Sequence, residues 1–483
     1  MNRRLFLQRS GGLLLGSTLF SRCGLTRAQW REVRLVSGEE ATKLELEALR
    51  DGSGLLERAI GTSIPVVRES SSWRRADVLV GCPESSRSLQ SLALPFSRAG
   101  AFRISSRPDA GSPWITIAGT DAEGARNGLY YFLEHLGFGF FRDGETVPSL
   151  KGPIDSSSPF DLRRRPAFSW RGDMIWDNYL GPRRYCAAVW GEAEWERALL
   201  YLARKGLNFL EFYPPLEHVL SLAFPEAGGL SEGSVWKSEA KHEMAKKVLA
   251  RGRSLGIRFM YVLSYGAFPE PIRELYPHLE WAKGFLCAHQ PELAEMSQRT
   301  WRVLVGEFGT DHLYAIRHRG EEDQSYSDPC RSITKAEGFR QAISVVEKLD
   351  PQAAITVWTW GEKLPELFSE LPSRVHAAHI RHGMANVFGE RGEGREQADG
   401  RPDLPPGRRW LSGQFTVFGG NEAFAQTAWC DGAALARDAL ASMKDESCKG
   451  YFQWPEWSNT SPWLSEVIAA LSWNPASMSS PEE

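Results

Sequence analysis

A chain of 483 residues is long enough for two or three domains, or for one barrel with an appendage. Its 42% hydrophobic content supports a large core, and a formal net charge of −3 gives no basis for nucleic acid or an anionic membrane surface as partner. Tryptophan is the excess, at 18 residues; an indole fills a core, but it also stacks on the apolar face of a sugar ring.

The N-terminus reads as a targeting segment. Asn2-Arg3-Arg4-Leu5-Phe6-Leu7-Gln8 matches a twin-arginine export signal, and the apolar run from Gly11 to Phe20 is too short for a permanent membrane helix. Thr26-Arg27-Ala28 is the expected cleavage site. The signal then covers residues 1–28, the mature chain is periplasmic or secreted, and no integral membrane segment remains. Arg22 before Cys23 fits lipid modification poorly, so an anchor at Cys23 is not expected. The cysteines are scattered, with no CxxC pair and no zinc spacing. Export of an already folded chain argues against a disulfide framework, and buried free thiols are expected.

Residues 30–150 read as a small α/β domain. Val33–Val36, Ala76–Gly81 and Trp114–Gly119 have strand character, and Glu39–Ala59 and Asp121–Leu136 read as helices. A linker rich in Ser, Pro and Arg is expected over 151–167. From Phe168 to Pro475 the pattern alternates strand and helix. Strands are expected at Ser169–Ile175, Asn208–Tyr213, Ile257–Ser264, His312–His318, Ala354–Trp360, Val375–Arg381, Trp410–Thr416 and Gly450–Trp454. Helices fall between most of them, at Ala193–Lys205, Glu239–Leu255, Pro291–Phe308, Ala336–Leu349 and Gly432–Lys444. Eight strands with alternating helices predict a (β/α)8 TIM barrel, an α/β fold, after the small α/β domain; residues 476–483 are expected to be a disordered tail.

Such a barrel keeps its active site at the carboxyl ends of its strands. The acids and aromatics expected there are Asp173, Asp177, Glu211, Tyr213, Glu217, Tyr265, Glu321, Glu322, Asp323, Trp358, Trp360, Glu362, Trp454, Glu456 and Trp457. Glu321 and Glu456 stand out, each being the first acid after a short apolar or aromatic strand. Two carboxylates on one rim can serve as acid/base and nucleophile in glycoside cleavage.

The chain carries, in order, Glu194-Trp195-Glu196-Arg197, Lys205-Gly206-Leu207-Asn208, Gly256-Ile257-Arg258-Phe259, and Phe268-Pro269-Glu270 with Leu275-Tyr276-Pro277. Glu307-Phe308-Gly309-Thr310-Asp311-His312-Leu313-Tyr314, Phe418-Gly419-Gly420-Asn421 and Pro455-Glu456 follow. Together these stretches resemble glycoside hydrolase family 89, the α-N-acetylglucosaminidases, and the resemblance extends into the N-terminal domain. It implies that Glu321 is the general acid/base and Glu456 the nucleophile of a retaining enzyme. It also implies that Tyr213, Glu217, Trp360, Trp454 and Asn421 lie at the sugar pocket, and that a terminal α-linked sugar is the substrate.

The chain departs from that pattern in four places. Gly320 replaces an Asn before the acid/base. Arg317, His318 and Arg319 form a cationic rim, which would lower the pKa of Glu321 or hold an anionic sugar. Tyr179-Leu180-Gly181-Pro182-Arg183-Arg184-Tyr185 replaces the segment that follows the first strand, and Thr416-Val417 replaces a His-Asn pair. The family's large helical C-terminal domain has no counterpart in the sequence. Two further readings therefore stand beside the first: a glycosidase for an acidic sugar such as a uronide, and a non-catalytic carbohydrate-binding barrel. His376, His379 and His382 read as strand residues, with 376 and 379 on opposite faces rather than converging on a metal. No phosphate loop and no GxGxxG after a strand is present, so no cofactor is expected.

Overall fold

The computed structural model describes residues 30–70, 73–74, 76–92, 94, 97–106, 114–150, 161–175, 187–227, 239–282, 285–318, 334–359, 364–382, 402–415, 432–455 and 462–475. The expected signal over 1–28 and the tail at 476–483 lie outside them. Among the described residues no helix is long and apolar enough to cross a membrane.

Among the described residues, eight strands belong to the N-terminal part: β1 (Arg34–Ser37), β2 (Val66–Arg68), β3 (Asp77–Gly81), β4 (Phe102–Ser106), β5 (Ile115–Gly119), β6 (Gly139–Phe141), β7 (Gly144–Thr146) and β8 (Asp161–Arg164). Six of them form one sheet in the order β2-β1-β3-β5-β4-β8, and β6 pairs with β7 as a hairpin. β1, β2, β3 and β5 are parallel; β4 and β8 run antiparallel to their neighbours. The helices Lys43–Ile60 and Ala122–His135 cover one face, burying Leu49, Leu55, Leu129 and Phe132 against Val78, Val80, Ile115 and Ile117. The first helix begins at Lys43 rather than Glu39, because Thr42 caps it. Its hydroxyl accepts from the Glu45 N–H at 3.2 Å while Glu45 accepts from the Thr42 N–H at 2.7 Å. Asp121 caps the second helix through the Gly124 N–H at 2.7 Å.

Part of the expected linker is sheet. Asp161–Arg164 pairs with β4 as the outermost strand. Its polar sequence suits an edge, where one side meets water and no apolar alternation is needed.

The second part is a closed barrel of eight parallel strands: β9 (Trp170–Ile175), β10 (Phe209–Phe212), β11 (Arg258–Tyr265), β14 (Leu313–His318), β15 (Ala354–Thr359), β16 (His376–His382), β17 (Trp410–Phe415) and β18 (Cys448–Trp454). A two-stranded hairpin, β12 (Trp281–Ala282) and β13 (Phe285–Leu286), follows β11. Each barrel strand pairs with the next in sequence, and β18 returns to β9. Outward residues such as Leu210, Phe212, Tyr261 and Ile316 join the helical layer. Inward residues form a separate core of Met174, Phe209, Met260, Val262, Leu313, Ala315, Leu411 and Phe452. Gly172 makes room for it, since a Cβ there would lie 2.5 Å from the Phe209 ring.

The cysteine expectation holds in part. Cys82 and Cys448 are buried free thiols, and burial pushes the Cys82 thiol up to about 11. Cys287, just past β13, is instead disulfide-bonded. Cysteines far apart in sequence can meet through the fold, which spacing does not reveal.

The N-terminal part docks on the amino-terminal end of the barrel, where helices hand over to strands. Arg126, fully buried on the helix Ala122–His135, donates to the Leu255 carbonyl at 2.7 Å. Arg171 of β9, also fully buried, donates to the carbonyls of Gly206 at 2.9 Å and Phe168 at 2.8 Å and pairs with Glu123. Burial alone would raise the Glu123 carboxyl, but the charges of Arg171 and Arg126 and the Asn208 hydrogen bond together hold it below the usual range. Arg204 pairs with Asp51 at 2.7 Å, and Lys205 with Glu134 at 2.8 Å and Glu466 at 2.7 Å. Trp473 closes the seam, with its ring 5.8 Å from Phe102 and its indole N–H donating to the Lys205 carbonyl at 3.0 Å. Gly206 has φ +67°, and a Cβ there would lie 2.4 Å from the Trp473 ring. Both facts require glycine.

Arg171→Met keeps a stem of similar length but strips the donors from two buried carbonyls and from Glu123. Losing one partner of a buried pair is expected to cost about 3–5 kcal/mol, measured as a lower urea midpoint with an unchanged slope.

Candidate active site at the carboxyl end of the barrel

Alternation along β10 sets the site. Phe209 faces the barrel axis, so Glu211 and Tyr213 follow it on the same side while Leu210 and Phe212 face the helices. Glu211 is completely buried. Trp358 of β15 donates its indole N–H to Glu211 Oε1 at 3.3 Å, and the Trp454 indole of β18 also favours the ionised carboxyl. Oε2 has no hydrogen-bond partner. Burial raises the Glu211 carboxyl to about 8, against the two indoles, which favour its ionised form.

The aromatic rings above it interlock edge to face. Trp358 and Trp454 meet at 5.2 Å and 83°, and Tyr213 meets Trp358 at 6.2 Å and 70°. Arg317 of β14 places its guanidinium 5.7 Å from the Trp358 ring centre. Burial raises the Tyr213 hydroxyl, and the charge and hydrogen bond of Arg317 oppose that rise. The upper barrel thus carries flat aromatic walls, a neutral acid at the bottom and a cation at the side.

The structure gathers Tyr213 and Trp454 into one cluster with Trp358, Glu211 and Arg317, which the sequence places on the same rim. Glu217 lies in the helix Leu216–Ala223 directly after β10; its side chain is outside the description. Glu321, Glu456, Trp360 and Asn421 lie outside the described residues, as do Asp177, Glu322, Asp323, Glu362 and Trp457. β14 ends at His318, three residues before Glu321, and β18 ends at Trp454, two before Glu456. These are the fourth and eighth strands of the barrel, on opposite sides of one rim.

Two expected rim residues point elsewhere. Asp173 is buried on the outer face of β9, ion-paired with Arg142 of the N-terminal part. Tyr265 turns outward to Gln341, donating at 3.2 Å, and packs on Trp301. Both occupy positions of the parity that faces the helices. His376 lies low in the barrel beside Trp170, its pKa pushed down to about 4 by burial and then by Arg409, Arg408 and Lys449. The side chains of His379 and His382 are outside the description. Among the described residues one group, Glu280, Cys287 and His289, brings three potential ligand atoms within 4.8 Å of one another. The Cys287 sulfur is tied up in its disulfide and supplies no thiolate, so two donors remain.

Glu211 appeared in the sequence only as one acid among many. A usable signal was present: it is the single charged residue in Phe209-Leu210-Glu211-Phe212, at the inward parity of a barrel strand.

No protein-family model and no curated protein matches this sequence. Solved structures do match it. A family 89 glycoside hydrolase from Clostridium perfringens, in complex with its substrate GlcNAc-α-1,4-galactose, superposes with a TM-score of 0.62 at 14% identity, over 92% of this chain and 51% of that one. A family 115 4-O-methyl-α-glucuronidase with specificity for decorated arabinogalactans gives 0.60 at 13%, over 92% and 56%. A family 20 chitobiase from Flavobacterium johnsoniae gives 0.59 at 12%, over 93% and 66%. The fold is shared with glycoside hydrolases. The chain spans about half the length of the family 89 structures it matches.

The folded protein holds the Glu211 proton up to about pH 8, whereas the unfolded chain releases it near pH 4.3. The carboxyl therefore disfavours folding increasingly as pH rises between those values, and its full penalty stands above them. Glu211→Gln is expected to match the parent at about pH 4 and to be more stable than it at about pH 9, by on the order of 5 kcal/mol. Thermal melts across pH measure this; parallel curves would remove the assignment.

Proposed function

We propose that this chain is an exported retaining glycoside hydrolase of the family 89 kind that cleaves a terminal α-linked sugar. The observation that carries the reading is the barrel itself. Its fourth and eighth strands lead to Glu321 and Glu456 from opposite sides of a rim floored by Trp358, Trp454 and Tyr213. In this reading Glu321 protonates the leaving oxygen and then activates water, while Glu456 attacks the anomeric carbon. Such a pair works at a carboxyl separation of about 5–5.5 Å. The indole faces receive the apolar face of the ring. N-acetylglucosamine is the sugar favoured by the sequence resemblance and by the family 89 structural neighbour. Export is supported by Asn2-Arg3-Arg4-Leu5-Phe6-Leu7.

Arg317 favours a second reading. A guanidinium against Trp358 at the top of the barrel suits a sugar carboxylate, and a family 115 α-glucuronidase shares the fold. That enzyme would cleave an α-linked uronide.

Nitrophenyl α-glycosides of N-acetylglucosamine and glucuronic acid separate the two. Glu321→Gln and Glu456→Gln are each expected to lower kcat by roughly 1,000-fold or more on the cleaved substrate. Azide should rescue truncated variants with opposite stereochemistry, giving a retained glycosyl azide for Glu321→Ala and an inverted one for Glu456→Ala. Full activity in both Gln variants removes the assignment, and turnover of neither glycoside leaves the carbohydrate-binding barrel.

A further inference from the structure

Glu211 is left over by the two-glutamate mechanism. Its strand, β10, pairs with β9 and β11 and with neither β14 nor β18, the strands that precede the two expected catalytic residues. It is fully buried, yet Oε2 has no hydrogen-bond partner, and its surroundings are Trp358, Trp454 and the inward core residues Met174 and Met260. A barrel interior gains nothing from such a group: leucine or methionine would fill the space without an unmet polar atom. The position also lies two residues below Tyr213 in the inward row of one strand, beneath the aromatic walls.

We infer that Glu211 is a specificity-determining residue whose free Oε2 hydrogen-bonds the polar substituent of the terminal sugar that reaches deepest into the barrel. This rests on the glycosidase reading and deepens it. The Trp358 indole N–H occupies Oε1, which fixes that oxygen as an acceptor and leaves the carboxyl proton to Oε2. The group therefore offers a donor to a sugar hydroxyl or to an amide carbonyl oxygen. The raised pKa agrees, because a carboxyl that keeps its proton near neutrality donates where a carboxylate would only accept. A sugar lacking the matching substituent leaves Oε2 unmet and binds less well. This is how a site built for one hydroxyl rejects its deoxy analogue. Arg317 lies at the side of the site against Trp358, so recognition of a sugar acid there and of a hydroxyl at Glu211 are separate functions.

The test is binding, so turnover is not needed. The intact chain, Glu211→Leu and Glu211→Gln are titrated calorimetrically with free N-acetylglucosamine, free glucuronic acid and analogues lacking one hydroxyl, or the acetamido group, each. The expected result is that Glu211→Leu weakens the preferred sugar roughly 10-fold or more, while Glu211→Gln, which keeps a donor, stays within about threefold. For one analogue the Leu penalty should vanish, and that analogue identifies the partner substituent. A packing defect has no such dependence on the ligand. Equal weakening of every sugar and analogue by Glu211→Leu, or none at all, overturns the inference while the glycosidase reading stands. A parent protein that binds no sugar in the panel overturns both.

Discussion

Two guanidinium groups without water, Arg126 and Arg171, hold the molecule in its shape. A buried arginine brings five N–H donors that need acceptors, and removing its charge from water is costly. Here the acceptors are backbone carbonyls at Phe168, Gly206 and Leu255, at the amino-terminal end of the barrel, together with the Glu123 carboxylate, which Arg171 meets across the domain boundary. The arginines thus read the amino-terminal end of the barrel rather than its flank. The N-terminal sheet is consequently held at the end away from the rim, and no residue of it described here approaches Glu211 or Trp358.

Inside the barrel the composition changes with height. Phe209 and Phe452 meet at 5.6 Å in the middle, and space for them comes from missing side chains on neighbouring strands such as Gly172. That close-packed plug leaves no passage through the molecule. Above it come Glu211, the indoles of Trp358 and Trp454, and the phenol and guanidinium of Tyr213 and Arg317. The apolar layer below keeps solvent away from the acid, so the same packing that stabilises the barrel also raises the Glu211 carboxyl. Stability and site chemistry are joined at one residue on β10.

Much of this was legible in the residues. The barrel strands fall within a residue or two of the expected bounds because both-face burial writes a continuous apolar run, and the helix stops at Gly206 and Gly256 carry the glycine signal. β4 and β8 were missed. Phe102-Arg103-Ile104-Ser105-Ser106 is short, and Asp161-Leu162-Arg163-Arg164 is almost wholly polar, so neither announces itself without its partner. Asp173 and Tyr265 were misplaced because proximity to a strand end does not settle which face a residue occupies; parity does. The disulfide at Cys287 has no spacing signature, whereas Glu211 was marked by its lone charge in Phe209-Leu210-Glu211-Phe212 and passed over among many rim acids.

Trp473 has a consequence for the order in which the molecule can be made. Its ring lies between Phe102 and the guanidinium of Arg171, 5.1 Å from the latter, and its indole ties down the Lys205 carbonyl. β9 likewise waits for β18 to close the barrel. The N-terminal part and the first and last strands of the barrel therefore meet at one seam, and a nascent polypeptide cannot complete it until translation has passed Trp473. Until then Arg171 and Phe102 lack their cover, so a partly synthesised chain exposes the surface that distinguishes it from a finished one.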